Sequence, residues 1–333
     1  MLCSAAAVGS SPLASTAVRV THAALANPLA AAFCAGILST PAAALSAPAF
    51  TVTEAAPGVF VHSGRQLALD APGHDDIANI GFVVGKRCVA VIDTGGSVRV
   101  GRQLRSAIAQ RTPLPVCYVI NTHVHVDHVL GNAAFRDSAA KFVGHEQLGD
   151  ALIRSREVFL KDYAADLDAP PSAAQIIGPQ LTVAVGSDLE LDLGDRRLIL
   201  HAWPKAHTDC DLSVYDRASG TLWSGDLVFV ERTPALDGSL KGWLTAIDAL
   251  AGMHVTRVVP GHGPVRADLA AALAPERRYL EDLLSGVRAQ IAKGNPMQSA
   301  IKEVDPPEKT TWLLWDATHP RNVARAYQEL EWE

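Results

Sequence analysis

The stretch "NTHVHVDH", Asn121 to His128, follows directly on the apolar run "VCYVI" and puts three histidines and an aspartate within six positions. A short apolar run bounded by polar turn residues is predicted to be a buried strand. Imidazoles this dense at its end are costly to fold around unless something holds them. On extended chain His123 and His125 project to one side, as alternate positions do. Asp127 and His128, at the next bend, can then face a second point nearby. The same residue types recur at the ends of later apolar runs, beside glycine or a turn: His207 in "KAHTDCD", Asp226 in "WSGDLVF" and His262 in "PGHGP". Five histidines and two aspartates in this pattern suit a metal that takes imidazole nitrogen and carboxylate oxygen, with no thiolate required.

Outward from that stretch, strands and helices alternate. "FTVTEAAPGVFVHSG" and "IANIGFVVGKRCVAVIDTGG" are β-branched runs broken by glycine and charge, as strands and hairpins are. "VRVGRQLRSAIAQRT" carries Val98, Leu104 and Ile108 at helical spacing. "KFVGHEQLGDALIRSR" reads as a short strand into a helix, "LELDLGDRRLILHAWP" and "DLSVYDRASGTLWSGDLVF" as hairpins, "GWLTAIDALAGM" as a helix, and "VTRVVPGHGP" as a strand. The alternation from about residue 50 to 265 predicts a layered α/β domain. From 266 to 333 the composition turns helical, in "LAAALAPERRYLEDLLSGVRAQIAKG" and "RNVARAYQELEWE", and these segments are expected to pack on the main domain rather than form a second one.

The ordered blocks "VIDTG", "THVHVDH", "AHTDCD", "SGDLV" and "PGHGP" resemble the metallo-β-lactamase superfamily across residues 48–265. The resemblance implies an αββα sandwich with added C-terminal helices and two metals in a cleft at one edge of the sheets. It places His123, His125 and His207 on the first metal, Asp127, His128 and His262 on the second, Asp226 between them, and Asp93 behind the ligands as a hydrogen-bond partner. Zinc fits the donors, and two zinc ions lower the pKa of a shared water towards ~7 while one polarises the electrophilic oxygen. Asp127 is then the catalytic residue that orients the hydroxide and relays its proton. The implied reaction is hydrolysis of a carbonyl ester, thioester, lactone or β-lactam-type bond in a small molecule.

Departures narrow the resemblance. Flavodiiron proteins carry Glu where this chain has His125, and class B1 β-lactamases carry Cys where it has Asp226. Hydroxyacylglutathione hydrolases share the seven donors but have a "HHHWDH" form and a basic C-terminal stretch not found here. "DIANIGFVVG", "CVAVIDTGGS", "DGSLKGWL" and "HPRNVARAYQELEWE" are similar to the exported zinc metallohydrolases of quinoprotein relay systems. That similarity implies a quinoprotein or cytochrome partner. Two other readings compete: a mononuclear iron persulfide dioxygenase-like enzyme, against which all seven donors weigh, and a periplasmic accessory protein without turnover.

Composition bounds the rest. The 333 residues, 48% hydrophobic and 19% charged, are those of a globular chain, and a net charge of −6 with no Lys/Arg run gives no reason to expect nucleic acid or an anionic membrane. Residues 1–47 are apolar and Ala-rich with Arg19 as their charge, so they are expected to be a signal peptide that sends the mature chain to the periplasm without a membrane span. Cys88 and Cys117 lie in strand-like runs, and with Cys210 make an odd number outside the leader. They imply no full disulfide framework and are expected to be small buried hydrophobes. Cys210, three residues past His207, is expected to be a packing thiol. Trp203, Trp223 and Trp243 are expected to fill the core. His62, His145, His201, His254 and His319 are each expected to be structural or exposed. His74, in a loop that can lie over the metals, and Lys205, near His207, are the weaker candidates for touching substrate.

Overall fold

The computed structural model describes residues 50–333; the expected leader, with its boundary at residue 47, lies outside them. The chain first builds a seven-stranded sheet whose spatial order follows the sequence: β1 (Thr53–Ala56), β2 (Val59–His62), β3 (Ile80–Val84), β4 (Val89–Ile92), β5 (Val116–Ile120), β6 (Lys141–His145) and β7 (Leu181–Val183). The first four strands pair antiparallel and the last four parallel. Parallel neighbours need crossovers. Helix α1 (Val98–Arg111) supplies the one between β4 and β5, the single turn α2 (Val126–Val129) follows β5, and α3 (Leu148–Asp162) follows β6. Ser97 caps α1 by accepting from the Val100 N–H at 3.1 Å.

A second sheet follows in the order β12-β11-β10-β9-β8, from β8 (Asp188–Asp192), β9 (Arg197–Ala202), β10 (Leu212–Asp216), β11 (Thr221–Phe229) and β12 (Arg257–His262). Its outer face carries α4 (Leu240–Ala251), α5 (Leu269–Ala292) and α7 (Trp315–Leu330), with α6 (Met297–Glu303) between the last two in sequence. The layering follows from strand period. In β4, Val89 and Val91 turn to Leu104 and Ile108 of α1, whereas Ala90 and Ile92 face Leu198, Leu200 and Trp223 of the other sheet. The architecture is the expected αββα sandwich with C-terminal helices on one flank. Trp203, Trp223 and Trp243 are all buried. No helix among the described residues is long and apolar enough to cross a membrane.

The cysteines correct the sequence reading. Cys88 and Cys117 form a disulfide with Cα atoms 5.7 Å apart. They lie 29 positions apart with α1 between them, and only the parallel pairing of β4 with β5 makes them neighbours. Adjacency of strands across a crossover is not written in either run. Cys210 is a buried free thiol packed in the core beneath the first sheet, as expected.

The two sheets are stitched together at one edge. Leu212 N–H donates to the Thr122 carbonyl at 2.7 Å, and Asn79 donates through its backbone to Gly261 and through Nδ2 to Pro260 and Gly263. This edge holds the ends of β4, β5 and β12, and the residues gathered there are those of the histidine blocks.

Candidate metal centre

The seven expected donors converge in two groups. His123, His125, His207 and Asp226 form one and Asp127, His128 and His262 the other, each with its ligand atoms within 4.8 Å of one another. His123 and His125 leave the end of β5; Asp127 and His128 sit in α2; His207 is in the β9–β10 loop; Asp226 is within β11 and His262 ends β12. Of these only His125 is not fully buried.

Inside the first group, Nδ1 of His125 lies 3.1 Å from Nε2 of His123 and 3.0 Å from Nε2 of His207, while Asp226 Oδ2 lies 3.7 and 3.4 Å from those two Nε2 atoms. In the second, His262 Nε2 is 3.3 Å from Asp127 Oδ2, and His128 Nε2 is 3.6 Å from the same oxygen. Asp226 reaches both groups, through Oδ1 to His128 at 3.2 Å and Oδ2 to His262 at 3.3 Å. With metal–nitrogen bonds of about 2.0–2.1 Å, the edges of a tetrahedral zinc site are ~3.3 Å, the spacing that these donors keep.

The outer nitrogens fix the tautomers. Nδ1 of His128 donates to Asp93 Oδ2 at 2.8 Å, Nδ1 of His207 to the Ala235 carbonyl at 2.6 Å, and Nδ1 of His262 to the Ile77 carbonyl at 2.9 Å. Nε2 of His125 faces Asp237 Oδ2 at 2.7 Å. Thr122 Oγ1 donates to Asp93 Oδ2 and so accepts from Nδ1 of His123 at 3.0 Å. Every imidazole therefore holds its N–H outward and aims a lone pair inward. Five lone pairs and two carboxylates facing one another repel unless a cation lies among them. Nε2 of His128 and Oδ1 of Asp226, though 3.2 Å apart, are out of hydrogen-bond alignment, and both are buried without a partner. The residues present fit two metal ions.

The electrostatics agree. Burial pushes the His123 and His207 imidazoles down, His207 to about 4, so both are neutral at pH 7, the form that can bind a metal. At His128 burial acts the same way but is outweighed by the charges of Asp226, Asp127 and Asp93, which raise it. The carboxylates demand positive charge, and a metal displaces the proton that otherwise supplies it.

Asp93, expected as the partner behind the ligands, stands at the end of β4 with φ 53°, a left-handed conformation uncommon outside glycine. Its carboxylate accepts from the Thr122 backbone N–H, the Thr122 hydroxyl and His128. Glycines make room around Asp226: a Cβ on Gly261 would fall 1.8 Å from its Oδ1, and Gly225, at φ 52°, lets β11 pass Thr122. His74 and Lys205 are not brought to the centre. His74 hydrogen-bonds Asp166 at 2.9 Å and the Ala71 carbonyl, and neither it nor the exposed Lys205 lines the cavity in front of the donors. That cavity, about 520 Å³, is bounded by Val124, Phe159, Tyr163, Phe229, Arg232 and, from α7, Ala317 and Arg321. Asp237, Arg232 and the α7 wall escaped the sequence reading. Asp237 had one signal: it opens "DGSLKGWL", ahead of the Ser239 cap of α4.

A model of the metallo-beta-lactamase superfamily matches residues 74–262, and the chain belongs to that superfamily. It is 25% identical over 162 residues to the Beta-lactamase-like protein 2 homolog of Caenorhabditis elegans, a match covering 49% of this chain and 47% of that protein. The chain thus spans about half the length of this curated relative. Among solved structures, a metallo-beta-lactamase from Pontibacter korlensis superposes with a TM-score of 0.55 at 23% identity, covering 70% of this chain and 99% of its own. A metallo-beta-lactamase family protein from Thermus thermophilus gives 0.59 at 21%, with 83% and 93% covered. The sec-alkylsulfatase Pisa1 from Pseudomonas sp. gives 0.63 at 16%, with 84% and 50% covered. At these identities the likeness is one of fold.

Proposed function

We propose that the protein is an exported dizinc hydrolase that cleaves a carbonyl ester, thioester, lactone or β-lactam-type bond in a small molecule, and that it serves a periplasmic quinoprotein system. The observation that carries the hydrolase reading is the inward convergence of seven donors in two groups, His123, His125 and His207 for one zinc, Asp127, His128 and His262 for the other, with Asp226 reaching both. Zinc bound there supplies a Lewis acid for the electrophilic oxygen and lowers the pKa of a water towards ~7. The chain does the remainder. Asp127, whose carboxylate stands at the cavity wall beside His262, orients the attacking water and takes up its proton. Val124, Phe159 and Phe229 keep bulk water from the reacting bond.

Export is supported by the apolar, Ala-rich character of residues 1–47 and by the Cys88–Cys117 disulfide, a bond that persists in oxidising compartments. The quinoprotein association rests on the sequence similarity alone. A second group of three donors, His262 among them, favours two metals over a single iron centre. The test is turnover of a panel of nitrocefin, lactones, thioesters and aryl esters by zinc-loaded protein. Hydrolysis of at least one class, lost on chelation and restored by zinc, is expected. Full zinc loading with no hydrolysis of any class would leave the accessory-protein reading in its place.

A further inference from the structure

The segment that leads into α4 holds two of the imidazoles from behind. Residues 234–239 form neither strand nor helix. The Ala235 carbonyl accepts from His207 Nδ1 at 2.6 Å, and the Asp237 carboxylate meets His125 Nε2 at 2.7 Å. Asp237 N–H also donates to the His207 carbonyl at 3.1 Å, and Ser239 N–H to the Ala206 carbonyl at 2.8 Å. The approach is close: a Cβ on Gly238 would fall 2.2 Å from the Ala206 oxygen. Any movement of this segment is therefore passed on to His125 and His207 together.

An irregular segment cannot satisfy its own backbone groups and takes its position from whatever does. Here that is α7. Asn322 accepts from Leu236 N–H at 2.9 Å and donates to the Pro234 carbonyl at 2.6 Å, while Arg325 donates to the Asp237 carbonyl through Nε at 3.1 Å and Nη2 at 2.6 Å. Glu329 accepts from Leu240 N–H at 2.6 Å and from the Ser239 hydroxyl at 2.7 Å, at the N-terminal end of α4 where a carboxylate is favoured. Spacings of three and four put these residues on one face of α7. The neighbouring face, Val323, Ala326 and Leu330, already docks the helix in the core. Docking does not need the polar face, which, apart from a bond from Asn322 to the Tyr279 hydroxyl, is turned to the segment that carries Ala235 and Asp237.

We propose that Asn322, Arg325 and Glu329 are positioning residues of the metal centre: from the C-terminal helix they fix residues 234–241 as a strap, and the strap aims the His125 and His207 imidazoles at the first metal position. They act through Asp237 and the Ala235 carbonyl. This deepens the hydrolase reading and rests on its metal centre. It makes α7 part of the framework of the centre as well as a wall of the cavity.

The experiment measures two quantities on wild type, Arg325→Met, Glu329→Ala and the double variant, with Arg325→Lys and Glu329→Gln as conservative replacements. One is stepwise zinc affinity by chelator competition, the steps assigned with His125→Ala and His128→Ala. The other is hydrogen exchange of the His207 Nδ1 proton in metal-free protein, read by NMR. Each single loss variant should weaken the first zinc position and speed that exchange roughly 10-fold, the scale of one hydrogen bond, and leave the second position within about 2-fold. The conservative replacements should restore most of both. Tyr327→Phe, which removes the bond from α7 to the Asn295 carbonyl, should change neither. Unchanged zinc affinity and unchanged His207 exchange in the double variant overturn the proposal and spare the two-metal reading. Zinc loss accompanied by faster amide exchange at Val323 and Ala326 would mean that α7 undocks as a whole, and overturns it as well. No zinc at the first position in wild type, with the His207 proton still released in the variants, supports the strap and counts against the metal centre. Circular dichroism of each variant establishes that it is folded.

Discussion

Oδ2 of Asp237 lies 2.7 Å from Nε2 of His125 and, through that contact, turns the Nδ1 lone pair of the imidazole toward His123 and His207. The two residues are 112 positions apart, and the aspartate belongs to the segment that leads into α4. It does for His125 what Asp93 does for His128: it sets the tautomer from behind. The hydrogen bond to His125 holds the Asp237 carboxyl well below its usual range although burial acts to raise it.

Replacing Asp237 with Ala should weaken zinc at the His123–His125–His207 position by roughly 10- to 100-fold while leaving the fold intact. Competition with a chromophoric chelator measures it. Unchanged affinity would mean that the ring is positioned by packing alone.

Asp127→Ala should abolish hydrolysis and loosen the second metal, because it removes the carboxylate beside His262. Cys210→Ser should retain both metals, since the thiol is buried in the core and burial raises its pKa far above neutrality. Metal content and turnover, measured on the same preparations, separate the two variants.

Gly261→Ala places a methyl group 1.8 Å from Asp226 Oδ1, against a carboxylate that serves both donor groups. Loss of both metals is expected, with a cost of about 1–3 kcal/mol for overpacking. A variant that binds two zinc ions as wild type does would show that Asp226 moves freely.

The Cys88–Cys117 bond closes a loop containing β4 and α1. Replacing both cysteines with alanine should lower stability by about 2–4 kcal/mol, read as a lower urea midpoint together with a steeper slope, because the denatured chain without the cross-link exposes more surface. An unchanged midpoint would remove the disulfide from any structural role.

His74 and Asp166 join the loop beside the cavity to the segment after α3. Burial lowers the His74 pKa, but the hydrogen bond and charge of Asp166 outweigh it and the net shift is upward. The folded-state pKa therefore exceeds the unfolded one, so the contribution of the pair is complete below about pH 6.5 and fades as pH rises through the raised value. Hydrogen exchange of residues 65–77, corrected for intrinsic rates, should be faster at pH 8.5 than at pH 6 in wild type. His74→Gln should remove that difference; an equal pH dependence in the variant would place the switch elsewhere.

Much of the centre was legible in the sequence because metal ligands sit at strand ends. The 2-residue spacing of His123 and His125 and the turn that follows announce a shared focus, and the downstream blocks complete it. The layered fold was legible for a related reason: apolar runs such as "VAVI" and "VCYVI" have no other way to bury both faces. What stayed hidden depends on contacts between distant segments. Cys88 and Cys117 meet only because β4 and β5 pair, Asp237 reaches His125 only across a loop junction, and Arg232 acquires its setting only when α7 closes one side of the cavity. His74 looked like a cavity residue from its loop, and Asp166, 92 positions on, draws it aside.

If the seven side chains hold two zinc ions, the ions should stay with the protein when it is purified without added metal, and elemental analysis of that preparation reads their number and kind. Two zinc per chain, falling to at most one in the His128→Ala variant, is the result predicted. One iron per chain, or zinc content that does not respond to loss of His128, would contradict it.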